Sequence, residues 1–297
     1  MTTHTEPSRA LLHELTVQAG LSATGARPIR LAENALWRLP EGIVVRIARP
    51  GQEHAAAREI TVTRWLTTVG FPAVRPLAID QPVHAAGRTA TFWHELPPHH
   101  HGTTSDLAPL LRRLHDLPVP PDVAQVLGHT DPFVRLTERI NAAPHLDQTA
   151  RGFLLERATD LRAQWDTLDL STDTRTVHGD AWPGNTAAVS DGDVFLLDFE
   201  RTALGPPQWD LTSTAVAADT FGTLSPAEYR RFADVYGSDV RAWAHYPLLR
   251  GIRELRLVTF AFQVAAQSPG ALHEARHRLA CMRGERGPRP WNWTAVG

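Results

Sequence analysis

No lysine occurs anywhere in the 297 residues; all 30 basic side chains are arginine. That excludes Schiff-base chemistry and catalysis by a neutral amine, and leaves the permanently charged guanidinium as the means of holding anions. Cysteine occurs once, at Cys281, so no intrachain disulfide and no cysteine-rich metal cluster can form, which points to a reducing compartment. No run approaches the roughly 20 apolar residues of a membrane span. The opening Met1-Thr2-Thr3-His4-Thr5-Glu6 has neither a basic segment nor an apolar one after it, so the expected location is the cytoplasm. Charge of one sign is also missing: the formal net charge is -2, which implies no nucleic acid and no anionic membrane as partner. No protein partner is inferable. What is present, 42% hydrophobic residues, suffices for a substantial core in one large domain or two lobes.

The chain contains no internal repeat. Ser8 to Gly20 reads as a short amphipathic helix, with Leu11, Leu12, Leu15 and Val17 as its apolar positions. Two strands follow, Ala35 to Leu39 and Ile43 to Ala48, around the turn composition Pro40-Glu41-Gly42. Glu53 to Val69 is helical in pattern, and a further strand pair is expected near Leu77 to Ile79 and Thr89 to Glu95. The run Pro97-Pro98-His99-His100-His101-Gly102 has loop composition. It divides the chain into a first lobe of residues 1–96, a connector of residues 97–104 and a second lobe of residues 105–297. From Ser105, expected as an N-cap, Leu107, Leu110, Leu111 and Leu114 form the stripe of a core-facing helix. Further helices are expected over Asp131 to Asn141, Thr149 to Leu168, Pro226 to Tyr236, Tyr246 to Gln267 and Pro269 to Met282.

One segment interrupts this helical pattern. It reads Val177-His178-Gly179-Asp180-Ala181-Trp182-Pro183-Gly184-Asn185, then an apolar run to Val189, a turn, and Val194-Phe195-Leu196-Leu197-Asp198-Phe199-Glu200. A hairpin of Thr186 to Val189 and Val194 to Leu197 brings Asn185 and Asp198 to one open end, beside the loop that bears Asp180. Phosphoryl transfer asks for such a set: hard oxygen ligands for a divalent metal, and a carboxylate that orients the attacking hydroxyl. Each short string alone is commonplace; their order and spacing together are not.

His178-Gly179-Asp180 through Asn185, followed by Asp198-Phe199-Glu200, resembles the catalytic signature of the aminoglycoside phosphotransferase family within the protein-kinase-like fold. The resemblance runs from about Arg30 to Ala266. It implies a bilobal α+β fold, with a small antiparallel-sheet N-lobe that binds nucleotide and a larger, mainly helical C-lobe. It implies Asp180 as catalytic residue, Asn185 and Asp198 as ligands of two Mg2+ ions, and ATP or GTP as phosphoryl donor. His178 is expected to shape the loop by hydrogen bonding, and Asp210 in Gly205-Pro206-Pro207-Gln208-Trp209-Asp210-Leu211 to brace it or to cap the next helix. In the first lobe, Arg46 stands where the family holds the α- and β-phosphates with a basic residue, and Glu59 stands as its helix partner. Asn34 falls in the phosphate-covering turn Glu33-Asn34-Ala35-Leu36, which lacks a glycine-rich loop, and Glu95 and Leu96 fall at the hinge that reads the nucleobase.

The acceptor leaves a weaker trace. From Asp219 onward eleven arginines stand against seven acids, which argues against a wholly acidic lobe for a polycation. Glu200, Asp219 and Glu254 are the candidate acceptor-binding carboxylates, each equally readable as a solvated or ion-paired charge. The leading expectation is a Mg-dependent phosphotransferase acting on a hydroxyl of an aminoglycoside or another antibiotic or natural product, in resistance or self-protection. The alternatives are a metabolic kinase of a sugar or amino alcohol, and a catalytically idle nucleotide-binding module suggested by the missing glycine-rich loop and by Arg46.

Overall fold

The structure, a computed structural model, describes residues 9–31, 34–170 and 173–296. The beginning of the first expected helix, Ser8, and Glu33 of the phosphate-covering turn lie outside the described residues. The chain forms two compact units, neither continuous in sequence. One comprises the residues up to Leu110 with Leu117–Gly128 and His178–Ala203; the other comprises Leu111–Asp116, His129–Val177 and the residues from Leu204 onward. Among the described residues no helix is long and apolar enough to cross a membrane.

The first unit is built on a five-stranded antiparallel sheet. Helix α1 (Arg9–Gln18) precedes strands β1 (Arg27–Leu31), β2 (Ala35–Leu39) and β3 (Ile43–Ile47), then helix α2 (Glu53–Thr68) and strands β4 (Val83–Ala85) and β5 (Arg88–His94). The strands lie in the order β1-β2-β3-β5-β4. In β3, alternation sends Ile43, Val45 and Ile47 into the core that Leu12 and Leu15 of α1 help to close, and sends Arg46 to the opposite face. Ala56, Ile60, Thr63 and Leu66 recur at helical spacing on the buried side of α2. Glu59 interrupts that stripe as a buried carboxylate, and a buried charge requires a partner.

β5 pairs with β3 on one side and with Val83–Ala85 on the other; the expected Leu77 to Ile79 forms no strand, and Pro76 before it makes an isolated antiparallel bridge to Trp93. Ala86 and Gly87 both take positive φ (48° and 70°), the geometry of a tight hairpin turn, without the Asn-Gly composition that announces one. Leu77 contributes a single backbone bond to Phe92. The histidine run, expected as a loop, forms a short edge strand: His99 and His100 pair with Val189 and Ala188 of the hairpin Thr186–Val189 and Val194–Leu196. The helix Thr104–Asp116 starts on Thr103 rather than Ser105, because Thr103 Oγ1 accepts from the Asp106 N–H (3.3 Å) and Asp106 Oδ2 from the Thr103 N–H (2.7 Å).

The second unit is mostly helical. Tyr246–Ala265 is buried along most of its circumference, as a central helix must be, and Leu249, Ile252, Leu255, Val258 and Phe262 pack in one cluster with Leu154, Leu161, Trp209 and Ala275. Ser225 and Glu228 form a capping box for Pro226–Tyr236, and Asp147 caps Gln148–Trp165 through the Ala150 N–H. The helix expected from Asp131 begins only at Leu136. The Asp131 carboxylate accepts from the Phe133 N–H (3.0 Å), which favours a turn, and Arg135 takes a left-handed conformation. The aromatic C-terminal end, Trp291 and Trp293, stacks at 5.4 Å and belongs to the core.

Candidate active site

His178 is fully buried and ties the 178–185 loop to the neighbouring strand end. Its Nδ1 accepts from the Asp180 N–H (3.3 Å), so its protonated Nε2 donates to the Leu197 carbonyl (2.8 Å), and its ring lies 5.2 Å from that of Phe199. Gly179 has φ of 82°, and a Cβ there would stand 2.3 Å from the Arg201 carbonyl oxygen. Only glycine lets the loop lie this close to the 3-10 turn Phe199–Arg201. Asn185 donates its side-chain N–H to the Asp180 carbonyl (2.8 Å), which leaves the amide oxygen as its group for a ligand.

Asp198 stands at the start of that 3-10 turn in a left-handed conformation (φ 62°, ψ 65°), a strained setting for a residue with a Cβ. Although 39% of its side chain is exposed, desolvation by the surrounding protein pushes its carboxyl above the usual carboxylate range; Arg46 opposes this, and the charges of Glu200 and Asp180 add to it. Asp198 thus shares its electrostatic neighbourhood with Arg46, Glu200 and Asp180.

Arg46 organises that neighbourhood. Its Nη1 donates to Glu59 (2.7 Å) and to Asp198 (3.4 Å), and its Nη2 donates to Glu200. Burial works to lower the guanidinium pKa, but the fields of Glu59, Asp198 and Glu200 raise it above its ordinary value. Glu59, inside α2, is pushed by burial up to about 7, against the pull of Arg46. One cation thus faces three carboxyl groups, an excess of negative charge that favours a shared proton or an added cation. Among the described residues no three or more His, Cys, Asp or Glu side chains form a metal-holding group. The oxygens of Asp198 and Asn185 instead suit an ion that takes one or two protein ligands and its remainder from phosphate and water, as Mg2+ does.

The other expected residues are placed as follows. Asn34 accepts from the Arg49 N–H (3.3 Å), and the Glu95 N–H is used on the Gly42 carbonyl (2.7 Å), with Leu96 half-buried beside it. Glu200, a candidate for the acceptor, is engaged by Arg46, and Arg58 Nη1 reaches its carbonyl (3.4 Å). In the second unit, Asp219 accepts from Tyr246 Oη (2.7 Å) and Arg241 (3.4 Å). Glu254 is held by Arg289 in a two-pronged pair (2.7 Å each) and by Thr220 (2.7 Å). Asp210 is buried in the first turn of Gln208–Val216 and bonds to His115 Nε2 (3.0 Å), whose Nδ1 meets Tyr236 Oη (2.8 Å). Burial and the charge of Asp210 push the Tyr236 hydroxyl well above its ordinary range. His115 escaped sequence reasoning, although its place four residues after Leu111 on a core-facing stripe was the available signal.

The small antiparallel sheet, the helical remainder and the acid–guanidinium cluster define a mixed α/β, kinase-like phosphotransferase fold. The model of the phosphotransferase enzyme family matches residues 26–251, and the chain belongs to that family. Solved structures agree in fold at low identity. A spectinomycin phosphotransferase in complex with ADP and spectinomycin is 13% identical, with a TM-score of 0.65 over 95% of this chain and 96% of that one. An amicoumacin kinase in complex with AMP-PNP and Ca2+ is 16% identical, with a TM-score of 0.64 over 87% and 89%. A choline kinase from Streptococcus pneumoniae is 16% identical, with a TM-score of 0.58 over 84% and 90%. No curated protein sequence matches the chain significantly.

Proposed function

We propose that this enzyme transfers the γ-phosphoryl group of ATP or GTP to a hydroxyl of a small molecule, an antibiotic or other natural product such as an aminoglycoside. The observation that carries the reading is the convergence of Asp180, Asn185 and Asp198 on one loop-and-hairpin unit, beside an arginine locked to a buried glutamate. Asp180 orients the acceptor hydroxyl and takes its proton as the oxygen attacks phosphorus, and the nucleoside diphosphate leaves with the electrons of the broken P–O bond. Arg46, fixed by Glu59, would hold the phosphates by turning to them the N–H groups it now gives to Asp198 and Glu200. Asn34, Glu95 and Leu96 border the nucleotide, His178 keeps the loop in shape, Asp210 serves its own helix and His115, and the lobes divide at residues 97–104. Of the acceptor candidates, Asp219 and Glu254 would have to release arginine partners to receive a cationic acceptor, and Glu200 would have to release Arg46. Mg2+ held by Asn185 and Asp198 would neutralise the phosphate charge. The nucleotide and Ca2+ bound by the amicoumacin kinase support this donor chemistry.

The test is a mass-spectrometric screen of purified protein with Mg2+ and ATP or GTP against aminoglycosides, other hydroxylated antibiotics including spectinomycin, sugars and amino alcohols including choline. A product heavier by one phosphoryl group is expected, with Asp180→Asn slower by about a hundred- to ten-thousand-fold at unchanged thermal stability. If Asp180→Asn retained most of the rate, the role of Asp180 would be wrong. Phosphorylation of sugars or choline alone would favour a metabolic kinase. Nucleotide binding without any product would favour an idle module.

A further inference from the structure

Trp182 is the anomaly of the first unit. The chain has nine tryptophans; eight are buried or half-buried, while Trp182 is 50% exposed. Isolated exposed apolar residues are ordinary, but this one stands between Asp180 and Asn185 and is held in place. Its backbone is extended (φ -163°, ψ 160°), and its carbonyl accepts the Asn185 N–H (2.9 Å). The benzene edge of its indole lies against Gly184 so closely that a Cβ there would fall 2.1–2.5 Å from three ring carbons. The next turn is pinned in its own right, with Thr186 Oγ1 donating to the Pro183 carbonyl (2.6 Å) and accepting from the Gly102 N–H (3.0 Å). A large aromatic is thus seated on a glycine and left half open to solvent.

Resting on the phosphotransferase reading above, we propose that Trp182 is an acceptor platform, whose indole face seats the apolar C–H face of a cyclic acceptor while Asp180 receives the adjoining hydroxyl. Two residues of chain span at most about 7 Å, so the indole begins within one ring's width of the Asp180 backbone. An indole face has no donor for phosphate; that task falls to Arg46, and Asn185 and Asp198 would reach phosphate only through the cation they would hold. A flat apolar plate two residues along the chain from a proton acceptor matches a ring carrying both hydroxyls and C–H faces, and gives an acyclic amino alcohol little surface to cover.

The test compares wild type, Trp182→Phe and Trp182→Ala, each checked for thermal stability and for binding of AMP-PNP with Mg2+. Phosphorylation of aminocyclitols and hexoses is measured against choline and ethanolamine. The expected result is that cyclic acceptors are the substrates, and that Trp182→Ala raises their KM by at least about tenfold while Trp182→Phe stays within about threefold. The nucleotide KM should move in neither variant. An unchanged acceptor KM in Trp182→Ala, a shift in the nucleotide KM instead, or products from acyclic acceptors alone would overturn the platform and leave the phosphotransferase reading standing. No product from wild type with any acceptor would count against that reading itself, and the platform would fall with it.

Discussion

At the scale of single residues, the least ordinary feature is the protonation of the Arg46 cluster. Glu59 has its carboxyl raised from 4.5 to about 7 by burial, so the folded protein holds that proton more tightly than the unfolded chain does. The resulting stabilisation is full below about pH 4.5 and is lost as pH rises through about 7, a term of roughly 3 kcal/mol. Without ligand, the thermal midpoint of wild type should therefore carry a falling component between those pH values that Glu59→Gln flattens; parallel profiles for the two proteins would show that Glu59 is not the titrating group. Arg46→Ala leaves three carboxyl groups with no counter-charge and should cost about 3–5 kcal/mol in a denaturant titration. Where the variant remains folded, its KM for nucleotide should rise more than its KM for acceptor. A lysine at that position offers one ammonium in place of a fork and should restore only part of either loss.

At the scale of elements, the site depends on close approach between the 178–185 loop and the 199–201 turn. Gly179→Ala adds a methyl 2.3 Å from a carbonyl oxygen at a positive φ, and backbone cannot yield as a flexible side chain can. We expect a loss of at least about 2 kcal/mol in stability, with activity falling further because Asp180 is the next residue; wild-type stability would mean that the loop moves freely. Most elements were legible because their periodicity was clean: β2, β3, α2 and Pro226–Tyr236 carry alternation, helical stripes or a capping box in their own residues. Leu77 to Ile79 misled because three apolar residues do not state their partner, and β4 was missed because Ala86 supplies a positive φ that composition does not announce. The histidine strand was missed because its pairing comes entirely from the hairpin across from it.

At the scale of the whole molecule, both units are assembled from separated stretches of chain, so the 178–200 segment is read late in sequence yet packs with the first hundred residues. If this unit binds Mg2+ and nucleotide as proposed, that binding stabilises the folded protein by mass action. At a ligand concentration about a hundred times Kd the gain should be near 2.7 kcal/mol, measurable as a raised thermal midpoint. The gain should grow as pH rises above about 7, where the acid cluster has lost its shared proton and a cation is most needed. A nucleotide that raised the midpoint equally with Mg2+ or with EDTA would remove the metal from the argument.

The sequence by itself determined the class of the protein, because the order His178-Gly179-Asp180, Asn185, Asp198-Phe199-Glu200 follows from local chain geometry: a loop, a hairpin and a strand end written in consecutive residues. The resemblance also marked Arg46 and Glu59 as a pair, which the structure bears out at 2.7 Å. What only the tertiary structure decided was which charges share an environment. Glu200 meets Arg46 across more than 150 residues of chain, Glu254 is already paired with Arg289, and Trp182 alone of nine tryptophans stays open to solvent. Burial and charge pairing are sums over neighbours brought from distant positions, and no local pattern carries that information.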